Sequence, residues 1–103
     1  MTTKKSKAMK VLDTLTGGPL TLGVLLRSIR LGEEMSMAEF GSLLRVSRGH
    51  INELEKGHKG VTPRRAAQFA KKLGYLEAQF IQLAIEDQLR RDGLKYRVQL
   101  KAA

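Results

Sequence analysis

The sequence predicts an all-α domain of five short helices followed by one short C-terminal β-strand. Three observations carry that expectation. Apolar residues recur at three- and four-residue spacing in five separate runs. Helix-capping residues, Thr21, Ser36, Ser47 and Thr62 with Pro63 behind it, stand just ahead of four of those runs. Apolar and polar side chains alternate at the end of the chain, in Tyr96-Arg97-Val98-Gln99-Leu100, which is strand periodicity.

The elements follow in order. The first helix opens at Thr21, gathers Leu22, Leu25, Leu26 and Ile29 on one face, and finishes near Gly32. The second opens on Ser36-Met37-Ala38-Glu39, a capping-box pattern, and buries Phe40, Leu43 and Leu44. Val46-Ser47 turns the chain, and Ser47 caps a third helix that buries Ile51 and Leu54 and stops at Gly57. The fourth starts at Thr62-Pro63 and ends at Gly74, with Ala66, Ala67, Phe69, Ala70 and Leu73 inward. The fifth runs from about Glu77 to Arg91, with Phe80, Ile81, Ala84, Ile85 and Leu89 inward and Gly93 behind it.

These elements divide the chain into a basic flexible arm over residues 1–18, a folded domain over 19–92 and a tail over 93–103. The arm holds Lys4, Lys5, Lys7 and Lys10 before a Gly17-Gly18-Pro19 break, with at most a marginal helical turn from Met9 to Leu15. A length of 103 residues suits one domain with a modest core. The absence of cysteine excludes disulfides and thiolate metal sites and fits a cytoplasmic protein. No apolar run has the length of a membrane span or the form of a signal peptide. The net charge of +9 is spread over arm, core and tail, a field that draws polyanions toward the surface.

Residues 36–57 decide what the charge is for. They read as two short amphipathic helices joined by a tight turn, the second polar on its outer face and flanked by cations. Gly41 lies inside the first of the two, where glycine costs about 1 kcal/mol against alanine. Close approach of the two helices explains it better than propensity does. This is the layout of a helix-turn-helix, which sets a few side chains against DNA base edges.

From Leu22 to about Ile81 the chain resembles the Cro/cI-type (XRE) helix-turn-helix family, the fold of lambdoid phage repressors and many bacterial regulators. The resemblance rests on Leu26-Arg27-x-x-Arg30, on Ser36, Glu39, Phe40, Gly41 and Leu44, and on Val46-Ser47, Ile51, Leu54-Glu55 and Gly57. Pro63 and Ala70-x-x-Leu73-Gly74 complete it. It implies a compact five-helix domain that binds operator DNA as a symmetric dimer, and a partly buried ion pair between Arg30 and Glu55. Two positions depart from the family. Met37 stands where Gln commonly contacts a phosphate, leaving that role to backbone amides at the helix start. Arg45 stands where glycine is preferred at the turn; a left-handed Arg45 lies on the order of 1 kcal/mol above glycine and leaves its guanidinium for the DNA backbone.

The third helix is expected to enter the major groove by its N-terminus, bringing Arg48, Gly49, His50, Asn52 and Glu53 to the bases. Arg48 is the leading reader, because guanidinium can bond guanine O6 and N7 together, although a phosphate contact is its alternative. Asn52 suits adenine. Glu53 suits cytosine N4, or else a helix pair with Lys56. Phosphate contacts are expected from Met37, Arg45, Ser47, Lys56, His58, Lys59 and Arg64, with Arg65 in support. The two histidines lack metal-ligand spacing and no phosphate-cradling glycine loop exists, so neither an enzyme nor a cofactor or metal site is expected.

A lone strand needs a partner edge, so Tyr96, Val98 and Leu100 point to a second copy or another protein, against a tail that packs on its own domain. The expected function is sequence-specific binding of double-stranded DNA by a homodimer that represses a palindromic operator. The alternatives are an antitoxin that neutralises a toxin protein and represses its own operon, and a non-specific nucleic-acid-binding protein.

Overall fold

A computed structural model describes residues 20–103, and all regular structure among them is helical. The basic arm, with its turn from Met9 to Leu15, lies outside the described residues. The helices are α1 (Leu22–Gly32), α2 (Met37–Leu44), α3 (Arg48–Glu55), α4 (Pro63–Leu73) and α5 (Glu77–Arg91). The chain divides into two compact units, the first ending at Lys59 and the second spanning Gly60–Ala103.

In the first unit, each helix starts where a side-chain oxygen satisfies an orphan backbone amide. Thr21 Oγ1 accepts from the Val24 N–H at 3.1 Å, and Ser47 Oγ accepts from the His50 N–H at 3.0 Å. At α2 the capping box is complete: Ser36 Oγ accepts from Glu39 N–H at 3.0 Å while Glu39 Oε1 accepts from Ser36 N–H at 2.8 Å. Leu22, Leu25, Leu26 and Ile29 of α1, Phe40 and Leu44 of α2, and Ile51 and Leu54 of α3 are buried. Leu43 is only half-buried. Ser28 lies among them fully buried, its hydroxyl donating to the Val24 carbonyl at 2.9 Å, which removes the penalty of an unpaired polar group.

Helix α3 packs against both α1 and α2, and two glycines permit this. A Cβ on Gly41 would stand 2.6 Å from the Val46 carbonyl oxygen. The close approach is therefore onto the backbone of the turn. A Cβ on Gly23 would collide with the Leu54 carbonyl oxygen, so α1 meets the end of α3 backbone to side-chain-free backbone.

The ends of α1 and α2 use a left-handed residue that is not glycine. Arg45 adopts φ 61°, ψ 43°, and Val46 N–H closes onto the Gly41 carbonyl at 2.9 Å. Glu34 does the same after α1 at φ 57°, with Met35 N–H on the Arg30 carbonyl at 3.0 Å. The helix finishes at Gly32, where the sequence places its end. Glu34→Gly is expected to raise stability by about 1 kcal/mol, less whatever the freer unfolded chain takes back. An unchanged urea midpoint would show that Glu34 carries no strain.

In the second unit, Thr62 Oγ1 accepts from Arg65 N–H at 3.2 Å, with Pro63 at the first helical position. Ala66, Phe69, Ala70 and Leu73 are buried, Ala67 only half so. Gly74 ends α4 in the left-handed region at φ 78°. The buried side chains of α5 are Phe80, Leu83, Ala84 and Glu86, whereas Ile81, Ile85 and Leu89 are half-buried.

The tail explains the difference in part. Glu86, 7% exposed, accepts the Val98 N–H at 2.7 Å and a longer bond from Gln82 Nε2 at 3.4 Å. The strand expected over Tyr96–Leu100 is corrected accordingly: no strand is present among the described residues. The alternation is there, but a ladder needs a second edge, and the single chain gives Val98 a carboxylate instead.

Candidate nucleic-acid interface

Helix α3 is eight residues long, too short to hold itself in water. Its shape comes from the Ser47 cap and from burying Ile51 and Leu54. That burial turns the remaining side chains outward. Arg48 and Gly49 are exposed at the first turn, and His50, Asn52 and Glu53 are half-buried behind them. Gly49 has an unusual status among the glycines: a Cβ there would meet nothing within 4 Å, and its φ is ordinary. Nothing among the described residues requires a glycine at this position.

The opposite end of α3 is pinned. Arg30 Nε and Nη2 donate to Glu55 Oε2 and Oε1 at 2.8 and 3.0 Å, a two-pronged pair, and Nη1 donates to the Met35 carbonyl at 3.1 Å. The side chains are 11% and 3% exposed. The Arg30 guanidinium is thereby committed to α3 and to the loop before α2, leaving little of it for a ligand.

Around this pair lies a small cleft of about 160 Å³, lined by Arg27, Arg30, Met37, Asn52, Glu55 and Lys56. Arg30 and Glu55 neutralise each other, while Arg27 and Lys56 are exposed and form no ion pair among the described residues. The cleft is therefore cationic. In the sequence Arg27 belongs to the pattern Leu26-Arg27-x-x-Arg30, which assigns it no contact of its own. Its neighbours come from elsewhere in the unit, Met37 from the start of α2 and Lys56 from the cap that ends α3.

The other expected contact residues are placed as follows. Arg45, Ser47, Lys56, His58 and Lys59 are exposed around α3, and Met37 is half-buried at the start of α2. Ser47 accepts from His50 N–H yet keeps its hydroxyl proton to donate. Glu53 does not pair with Lys56; its Oε1 lies 3.4 Å from His58 Nδ1, so a base-reading candidate and a phosphate candidate hold each other. Arg64 and Arg65 belong to the second unit, both exposed, with the Arg65 guanidinium 5.5 Å from the Phe69 ring centre. Tyr96 and Leu100 are exposed and Val98 half-buried in the tail.

A family model described as helix-turn-helix matches residues 26–80, more than half of the chain. The chain belongs to the Cro/cI-type helix-turn-helix family. This helix-turn-helix protein is thus a member of a family of DNA-binding regulators that are typically not enzymes. No curated protein and no solved structure matches it. Among the described residues of the helix-turn-helix protein, no helix is long and apolar enough to cross a membrane, and no cluster of three or more metal-binding side chains occurs.

Proposed function

We propose that the protein reads specific base pairs in double-stranded DNA with α3, as a homodimer that represses a palindromic operator in the cytoplasm. Gly49 is the observation that carries this reading. A glycine in the first turn of an eight-residue helix lowers helix stability, yet no contact among the described residues and no backbone angle calls for it. Close approach of α3 to a base pair or sugar gives it a reason. Arg48 beside it is exposed and without an ion pair among the described residues, free to fork onto a guanine.

Phosphates are assigned to Arg27, Arg45, Lys56 and Lys59 of the first unit, with the amides at the start of α2 and the Ser47 hydroxyl as neutral donors. Arg27 and Lys56 supply at the cleft the charge that Met37 cannot.

The test is site selection from random duplex DNA against competitor at physiological salt. A preferred sequence with half-sites about one helical turn apart is expected, and Arg48→Ala should lose about 1–3 kcal/mol at one base pair of it. Gly49→Ala should raise folding stability by about 0.5–1 kcal/mol while weakening DNA binding, opposite signs that a purely structural glycine cannot give. Selection that returns no preferred sequence sinks the repressor reading and leaves non-specific binding.

The tail supports a second reading, the antitoxin. Tyr96 is 69% exposed although the backbone beside it is held at Glu86, an arrangement that offers apolar surface to a protein partner such as a toxin.

A further inference from the structure

The second unit carries a groove of about 430 Å³ between the start of α4 and α5. That volume falls in the range of small-molecule sites. Val61, Pro63, Ala84 and Ile85 give it apolar walls, and Gln88 and Arg91 supply its polar end.

Arg91 is set in place. Its Nη2 donates to Gln88 Oε1 at 3.0 Å, and Gln88 Nε2 in turn donates to the Asp92 carboxylate at 3.3 Å. Gln88 thus bonds Arg91 through its oxygen and Asp92 through its nitrogen, on the exposed face of α5. Arg91 forms no ion pair among the described residues. Gly60 makes the room: its φ is ordinary, but a Cβ there would run into the Arg91 guanidinium. A Cβ there would displace the guanidinium, which has unused donors at the polar end of an apolar groove.

We infer that this groove binds a small organic anion, its carboxylate forked by Arg91 and its hydrocarbon body laid along Val61, Pro63, Ala84 and Ile85. A planar, weakly hydrated guanidinium with free donors matches a carboxylate. Apolar walls of this kind give a bare phosphate or a DNA phosphodiester nothing to rest on. No residue of α3 lines the groove, and its occupancy is read without DNA.

The probe is 4-methylbenzoate, titrated into the full chain while the methyl resonances of Val61 and Ile85 are followed. Saturable shifts at both residues are expected. Arg91→Gln should weaken binding about ten-fold or more, the value of a charge-assisted hydrogen bond. Gly60→Ala keeps every charge but displaces the guanidinium, so it should also weaken binding, about three-fold or more by the same scale. Arg91 and Gly60 are exposed, so the thermal melts of both variants should match the parent. Equal binding of the neutral 4-methylbenzyl alcohol would overturn the proposal, because the groove would then be merely greasy. Equal shifts from inorganic phosphate would overturn it too, by making Arg91 a bare anion site. Shifts that follow protein concentration instead of ligand would identify a second copy as the occupant. Because no DNA is present, failure here leaves the DNA reading intact, and failure of site selection leaves this one intact.

Discussion

Glu55→Ala is expected to cost about 3–5 kcal/mol of folding stability, more than any other single change to the first unit's polar groups. The cost does not measure the worth of the ion pair. It arises because Arg30 stays behind, 11% exposed at its side chain and with only the Met35 carbonyl as a partner. Arginine cannot shed its charge when stranded. Glu55→Gln should fall between parent and alanine, since an amide oxygen can accept one of the two bonds. Replacing both residues, Arg30→Met with Glu55→Leu, should recover most of the loss, because no buried charge remains. Urea unfolding gives the comparison. A single-variant loss below about 1 kcal/mol would place the pair in the class of surface ion pairs and refute the argument. The consequence for the proposed function is direct: α3 is too short to stand alone, so a loosened Arg30–Glu55 fork frees from α1 the end of the helix proposed to read bases.

How much of this was legible in the sequence depends on whether the deciding interaction is local. Thr21, Ser36, Ser47 and Thr62 announce their helices because a cap bonds an amide two or three residues ahead. Gly57 and Gly74 announce ends because a left-handed residue usually lacks a Cβ. Glu34 gives no such signal, and α1 closes on it nonetheless. Gly23 is silent for another reason: its meaning is the Leu54 carbonyl, which is thirty-one positions away in sequence. The same holds for Glu86, a carboxylate on a helix that reads as solvent-facing until the Val98 amide reaches it. The alternation of Tyr96 to Leu100 is a local fact, whereas a strand is a paired one. At the interface, Arg48 and Gly49 could be placed by counting from Ser47. The Arg27 cleft and the Glu53–His58 contact required knowing which helices meet and where the chain turns after α3.

Specific DNA affinity is expected to fall by roughly four powers of ten between 50 and 200 mM salt, the largest effect anticipated for this protein. The cations proposed to face phosphates are Arg27, Arg45, Lys56 and Lys59, all exposed and unpaired among the described residues. Each phosphate neutralised releases condensed counter-ions, and the logarithm of affinity then falls with slope about −0.9 per contact. One copy of the chain gives a slope near −3.6, and two copies on one operator give about −7. The slope therefore counts protomers as well as contacts, and a value near the smaller figure would remove the dimer from the proposal. Single variants divide the contacts by kind. Arg27→Gln should flatten the slope by about 0.9 for each copy bound while leaving the preferred sequence unchanged, as a backbone contact must. Arg48→Ala should do the reverse, relaxing one base pair of the site with little change in slope. If Arg48→Ala flattens the slope and preserves the sequence preference, Arg48 is a phosphate clamp, and base reading passes to Asn52 and Glu53.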